Sequence, residues 1–282
     1  MCELFAMSSR ELANASFSLE EFSKHGGLTN HHKDGWGIVY YRENDAQVIR
    51  EPVPAYNSAQ LQFVKNRKLE SNMIISHIRK ATMGEIALRN TQPFNRELAG
   101  DINTFAHNGM CPDIISHSLK AGPYHPIGDT DSEHAFCYLL KQMAQLYVQS
   151  AEVHNKEPSL DAKLELISQF ANHIRPMGPA NFIYSDSGYI FCHSDRRKHK
   201  EGMSPPGLYV LCRSCKTEPR PVQIPGLSIV TVAKSQDIVL VASVPLSDED
   251  WQPISQGDIL VLHKGQIVKR HNTITNSTIL TD

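Results

Sequence analysis

No stretch of this sequence approaches the about eighteen consecutive apolar residues of a membrane-crossing helix, and no apolar export segment follows its first residues. Neither a membrane-spanning nor a secreted protein is expected. Cysteine is scarce as well: Cys2, Cys111, Cys137, Cys192, Cys212 and Cys215 are six thiols in 282 residues, too few for a disulfide scaffold. The expectation is a cytoplasmic protein with reduced thiols. Charge of one sign is not in excess either, since 28 basic and 30 acidic residues leave a net charge of −2 and no field to recruit nucleic acid or an anionic membrane. A small or neutral ligand fits better. Repeats, low-complexity tracts and an interdomain linker are missing, so residues 2–271 are expected to form one domain, followed by a polar, Thr-rich tail at 272–282.

What is there begins with an apolar stretch at residues 2–7, predicted as a buried first strand or loop, and a weakly helical segment at 12–22. Residues 24–37 gather Gly26, Gly27, Gly35 and Gly37 around His31, His32, Asp34 and Trp36, a composition that lets the backbone approach a ligand closely. A hairpin is predicted from 37–42 and 47–50, and a further strand at 72–79. Residues 80–100 lack periodicity and are read as a long loop of the kind that forms lids. The β-prone run 103–107 stops at Asn108-Gly109, where a sharp turn is expected. Thr130-Asp131-Ser132-Glu133 matches a capping box and opens a helix, and residues 160–174 form a second amphipathic helix. From 181 onward the pattern turns strand-rich, with predicted strands at 181–184, 188–192, 208–212, 228–233, 237–243, 258–263 and 266–269. Helices on antiparallel sheets make this an α+β layered architecture.

The chemistry centres on Cys2. A small second residue lets aminopeptidase remove Met1, and the mature chain would then begin with a thiol and a free α-amine on one residue. Reference pKa values of about 8.5 for the thiol and about 7.7–8.0 for the amine make the amine a competent acceptor of the thiol's proton near neutrality. Taken alone, Cys2 is more often a small apolar residue opening an edge strand. Four separated segments change that balance: Met1-Cys2, the run His77 to Gly84, the run Phe105-Ala106-His107-Asn108-Gly109, and the run Gly128 to Glu133. Asn90-Thr91-Gln92-Pro93 supplies an Asn-x-x-Pro element between the second and third.

In order and spacing these motifs resemble the N-terminal-nucleophile glutaminase domain of class II glutamine amidotransferases. The whole chain, through His32-Lys33-Asp34-Gly35-Trp36-Gly37, Pro206-Gly207-Leu208 and the run Val244 to Trp251, is similar to a stand-alone bacterial branch related to the γ-glutamyl hydrolase of the ergothioneine pathway. The resemblance implies a four-layer αββα sandwich and hydrolysis of the γ-amide of glutamine or a small γ-glutamyl compound. Cys2 would form the thioester, and the Asn108 amide with the Gly109 N–H would hold the oxyanion. Arg79 would bind the substrate α-carboxylate and Asp131 its α-ammonium. Neither metal nor cofactor is implied. Cys212-Arg-Ser-Cys215 with nearby Cys192 and His193 lacks the second ligand pair of a zinc site and the βαβ setting of a redox motif. His107, His31, His32 and His77 are assigned packing or hydrogen-bonding roles, because the α-amine already fills the role of base.

Lys80 stands where several such enzymes carry an aromatic gate to an ammonia channel, and no synthase segment is evident in the sequence. Hydrolysis of a small-molecule γ-glutamyl amide is favoured accordingly. A glutaminase subunit delivering ammonia to a separate synthetase partner, a homo-oligomer, and a catalytically silent glutamyl-binding module stay open as alternatives.

Overall fold

Alternation along β1 (Glu3–Asn14) sets the layering. Leu4 and Ala6 point to one face and Phe5 and Met7 to the other, yet all four are fully buried. A strand buried on both faces has to lie in an inner layer. The computed structural model describes residues 2–29, 32–43, 45–67, 69–118, 123–154, 157–216, 222–224, 227–229 and 235–275.

Within these, β1 is central in a first antiparallel sheet that also holds β2 (Trp36–Arg42), β3 (Asp45–Glu51) and β4 (Glu70–Ile78). The second sheet contains β5 (Phe94–Leu98), β6 (Asp101–Gly109), β7 (Ala180–Ser185) and β8 (Ile190–His193). A two-stranded ribbon, β9 (Arg197–His199) and β10 (Gly202–Ser204), stands apart. β11 (Tyr209–Lys216), β12 (Val222–Ile224), β13 (Leu227–Ile229), β14 (Ser235–Ala242) and β15 (Gln252–Pro253) return to the first sheet. β16 (Asp258–His263) and β17 (Gln266–Asn272) complete the second. The strand orders are β15-β11-β14-β1-β4-β2-β3, with β13 pairing β1 and β12, and β17-β16-β8-β7-β6-β5.

Three apolar cores follow. Leu4, Ala6, Val39, Ile75, Ala106, Ile183, Val241 and Leu260 fill the space between the sheets. On the outer side of the first sheet, Phe5, Met7 and Ile38 meet Leu19 and Phe22 of α1 (Ser16–His25) and Leu61 and Val64 of α2 (Ala59–Arg67). After the short α3 (Ile114–Ser118), the long α4 (Asp131–His154) and α5 (Leu160–Ile174) cover the second sheet. There Phe136, Leu140, Ile167 and Phe170 pack on Phe105, Phe182 and Tyr184. Helix, sheet, sheet, helix is the four-layer αββα sandwich. Each such fully buried side chain contributes about 1.5–3 kcal/mol of transfer free energy, so three cores built on one alternation make the layering strongly specified.

Several expected elements differ from those observed. The helix expected at 12–22 begins only at Ser16, because β1 continues through a bulge and Ala13 and Asn14 pair with Ser71 and Glu70. Intrinsic helix preference among ordinary residues differs by at most about 0.7 kcal/mol each and yields to that pairing. The loop expected across 80–100 contains β5, a strand whose three central residues are polar and partly exposed, so it shows no apolar run. Asn108-Gly109 does not turn: it continues β6, paired with Asn181 and Ala180 of β7. The predicted capping box is half realised. Thr130 Oγ1 accepts from Glu133 N (3.3 Å), whereas the Glu133 carboxylate accepts from Gly128 N (2.7 Å) and pairs with Arg96. Part of the strand expected at 228–233 lies outside the described residues.

Candidate active site

The inter-sheet face of β1 ends in Cys2, and the same alternation places His77 and Arg79 at the end of β4 and Asn108 at the end of β6 on that side. Cys2 is half-buried, and its Sγ is held by the backbone of one residue, donating to Lys80 O (3.4 Å) and accepting from Lys80 N (3.3 Å). Burial pushes the thiol's pKa up, opposed by the Lys80 N–H and the Arg79 charge, so the sulfur rests protonated.

The Lys80 backbone is itself clamped. Arg79 N donates to Gly35 O (2.8 Å), Asp34 N to Arg79 O (3.2 Å) and Ala81 N to Asp34 Oδ2 (2.7 Å). Gly35 has φ +140°, with the Thr91 side chain and Glu51 O just over 3 Å from where a Cβ would stand, which explains the glycine in this turn.

Arg79 is only 3% exposed. Its guanidinium donates to the carbonyls of Met83 (3.0 Å), Gly84 (3.1 Å) and Glu85 (3.1 Å), with Asp34 O at 3.5 Å. None of the ion pairs found among the described residues includes it. Burial accordingly lowers its pKa, against the partial opposition of Cys2 and Asp34. Carbonyl dipoles satisfy its donors, while the unit charge stays without a neutralising contact. The carbonyl loop is tied to the start of α4 by Asn90, whose Nδ2 donates to Glu85 O (3.1 Å) and whose Oδ1 accepts from Asp129 N (2.8 Å).

On the facing side, Asp131 Oδ2 accepts from Cys111 N (2.7 Å) and Oδ1 from Ser132 N (2.8 Å), fixing a nearly buried carboxylate. His107 Nδ1 bonds Ser132 Oγ (2.9 Å), its backbone N–H donates to Gln92 Oε1 (2.6 Å), and its ring stacks on Phe105. Asn108 is 0% exposed, and neither Nδ2 nor Oδ1 of its side chain has a hydrogen-bond partner. A buried amide left unpaired costs about 1–3 kcal/mol, and such a group calls for an explanation. Its backbone is secured from behind by Asn181, whose Nδ2 donates to Asn108 O (3.1 Å). Gly207 makes room for that amide, since a Cβ there would overlap Asn181 Oδ1. At Gly109 a Cβ would overlap Pro179 O.

Cys2, Arg79, Gln92, Gly109 and Asp131 border one polar cavity of about 20 Å³. Cys2, Lys80, Thr82 and Gly109 also border an adjoining cavity of about 60 Å³ closed by Met110, Pro179 and Met203. A larger hollow, about 660 Å³, is bordered by Glu21, His25 and residues 245–249 and not by Cys2, so size alone does not mark the site.

A family model, glutamine amidotransferases class-II, matches residues 1–281. The chain belongs to the class II glutamine amidotransferases. It is 34% identical over 260 residues to "Putative glutamine amidotransferase YafJ" of Escherichia coli K12, covering 92% of this chain and 96% of that one. A Haemophilus influenzae protein of the same description is 30% identical over 272 residues, 94% of this chain and 85% of that one. Among solved structures, a predicted glutamine amidotransferase from Pseudomonas aeruginosa superposes with a TM-score of 0.65 at 24% identity, covering 95% of this chain and all of that one. Glutamine phosphoribosylpyrophosphate amidotransferase from Bacillus subtilis gives 0.60 at 13% identity, over 96% of this chain and 49% of that one. At such identities the two structures speak for the fold, which is that of the class II glutamine amidotransferases. The family's general chemistry is hydrolysis of the glutamine amide with use or transfer of its ammonia.

Residues that sequence reasoning did not single out brace the strand end that carries Cys2. Glu3 follows the candidate nucleophile, faces the α1 side and is buried, bonded to His25 Nδ1 (2.6 Å) with His32 Nδ1 at 3.7 Å and Arg197 at 3.9 Å. Burial alone would raise its pKa, but the His25 hydrogen bond and the charges of His25, His32 and Arg197 outweigh it and hold the carboxyl below its usual range. Arg197 also donates to Ser243 O, and Ser243 Oγ accepts from Leu4 N (3.0 Å), so the start of β1 is anchored from both sides. Among the described residues, Cys192 lies in the inter-sheet core and Cys212 is exposed on β11.

Two buried histidines predict acid lability. Burial, helped by the charges of Arg79 and His107, pushes His77 down to about 3, and burial pushes His193 down to about 4. Both lie below the about 6.5 of a free histidine, so on acidification the unfolded chain takes up protons that the folded chain refuses. Stability is then full above about pH 6.5 and declines as pH falls toward 4, by about 1.4 kcal/mol per unit for each histidine. At still lower pH, protonation of Glu3 adds to the loss. Unfolding free energies from urea titrations at pH 7.5 and pH 5 should differ by an amount on the order of 4 kcal/mol; equal values would show that these imidazoles exchange protons freely while folded.

Proposed function

We propose that the mature protein begins at Cys2 and hydrolyses the γ-amide of glutamine or of a small γ-glutamyl compound. The observation that carries this reading is the buried Arg79 charge without a carboxylate partner, set on the same cavity as the Cys2 thiol and the Asp131 carboxylate. A glutamyl group offers the complement: an α-carboxylate for Arg79, an α-ammonium for Asp131, and a side-chain carbonyl that reaches the sulfur.

The Cys2 thiol gives its proton to the α-amine as sulfur attacks the γ-carbonyl carbon. The oxygen, now negative, is held by the Asn108 amide and the Gly109 N–H. Collapse of this intermediate breaks the C–N bond as the α-ammonium protonates the leaving nitrogen, releasing ammonia or an amine, and water then hydrolyses the thioester, giving glutamate and restoring the thiol. A cavity of about 20 Å³ holds roughly one water, so substrate entry requires the segment after Lys80 to move. The α-carboxylate would take over guanidinium donors now occupied by Met83, Gly84 and Glu85, which couples binding to that movement.

The test compares α- and γ-linked glutamyl dipeptides, with intact mass first establishing that Cys2 is the amino terminus. An α-linked peptide has a neutral amide where Arg79 needs an anion, and losing the partner of a buried charge costs about 3–5 kcal/mol. Glutamate release should therefore be confined to the γ-linked compounds and to glutamine. Comparable release from both linkages would overturn the assignment.

A further inference from the structure

The two cavities that meet at Cys2 differ in chemistry, and Cys2, Lys80, Thr82 and Gly109 border both. On one side stand Arg79, Gln92, Thr130 and Asp131, with Met83 the one large apolar residue among the lining; on the other the lining beyond the shared residues is Met110, Pro179 and Met203. A γ-carbonyl attacked at this junction has two substituents besides oxygen. Its carbon chain has to run toward Arg79 and Asp131, and its nitrogen therefore faces the methionines. We infer, on the basis of the hydrolytic reading above, that Met110, Pro179 and Met203 form a leaving-group subsite and that the preferred substrates are γ-glutamyl amides of amines bearing an apolar alkyl or aryl group, rather than glutamine itself.

Ammonia would leave this space without a complement. Met110 and Met203 are each 49% exposed, so two large apolar side chains are held partly in water beside the nucleophile instead of in any of the three cores. Their mounts are firm. Met110 N donates to Pro179 O (3.0 Å), and a Cβ on Gly178 would overlap Met110 O. Met203 is carried by the β9–β10 ribbon, where it pairs with Lys198, and Arg197 on the same ribbon reaches Glu3 and Ser243 beside the nucleophile. Position is fixed, while the unbranched thioether side chains adapt to the shape of either an alkyl or an aryl substituent. Lys80 and Thr82 at the shared edge are exposed and leave the subsite open to solvent on that side, so the far end of a longer amine can project outward.

The experiment measures kcat/KM for glutamine and for γ-glutamyl methyl-, ethyl-, propyl-, butyl- and benzylamides, using full-length protein whose Cys2 terminus is verified by mass. Each methylene taken from water should raise kcat/KM about fourfold until the cavity is filled. Met203→Ser, at a half-exposed ribbon position, should flatten that series, reducing the butylamide-to-glutamine ratio by about tenfold. A series flat or falling with chain length in the wild-type protein, with glutamine cleaved readily, overturns the subsite and leaves the hydrolase reading intact. It would favour an apolar mouth covered by an ammonia-accepting partner. No glutamate from any member overturns the hydrolase reading and the subsite with it. A rising series that Met203→Ser leaves unchanged overturns the assignment to this wall.

Discussion

Cys2→Ala should give a folded protein that releases no detectable glutamate, and Cys2→Ser one whose turnover is reduced by a factor on the order of 10⁴ or more. Neither change threatens the fold, because Cys2 sits before the first paired residue of β1 and its side chain, among the described residues, bonds only to the Lys80 backbone. Thermal midpoints should stay close to wild type. The kinetic loss comes from proton affinity. A half-buried thiol raised above its usual pKa can still pass its proton to an adjacent amine, and the Lys80 N–H is placed to stabilise the sulfur as charge develops. A hydroxyl is far less acidic, and a lone amine is too weak a base to activate it. The companion measurement is covalent: an electrophilic analogue of glutamine should modify Cys2 alone. Cys212 is exposed and serves as the internal control. Modification mapped to Cys212, or full activity in Cys2→Ala, would remove Cys2 from the centre of the chemistry.

The parts legible in the sequence were those in which local pattern and global packing agree. Residues 160–174 and 258–263 read as a helix and a strand with the limits they have, since their apolar spacing coincides with burial on the second sheet. The resemblance of ordered motifs named Cys2, Arg79, Asn108, Gly109 and Asp131, and the structure sets Cys2, Arg79, Gly109 and Asp131 on one cavity, with Asn108 next to Gly109 on β6. What stayed illegible depends on partners distant in the chain. Nothing local says that Glu3 is buried, because its partners arrive from α1, from the loop at His32 and from the β9–β10 ribbon. Asn108-Gly109 has the composition of a turn, but pairing with β7 and the press of Pro179 against Gly109 make it a strand end. Asn181 likewise looked like an ordinary strand residue. Only the fold reveals that it braces the Asn108 backbone, and that Gly207 is a glycine because Asn181 fills the space.

Asn108→Ala separates a stabilising role from a catalytic one. A residue kept for structure loses stability when its side chain is removed. Asn108 should behave in the opposite sense, since both polar atoms of its amide are buried without partners and deleting them relieves an unpaired group. The urea midpoint of the variant is expected to equal or exceed that of wild type. Turnover should meanwhile fall by about 10²–10³, the usual cost of losing one donor to a developing oxyanion. KM should change little, because the negative charge that the amide serves exists only in the transition state and not in the bound substrate. On the proposed reading the amide is already stripped of water and has no existing hydrogen bond to give up when the carbonyl oxygen takes up charge, and that is the advantage a buried orphan amide offers over a solvated one. A variant that is less stable but turns over normally would make Asn108 a packing residue and would shift the oxyanion contact to the backbone at Gly109.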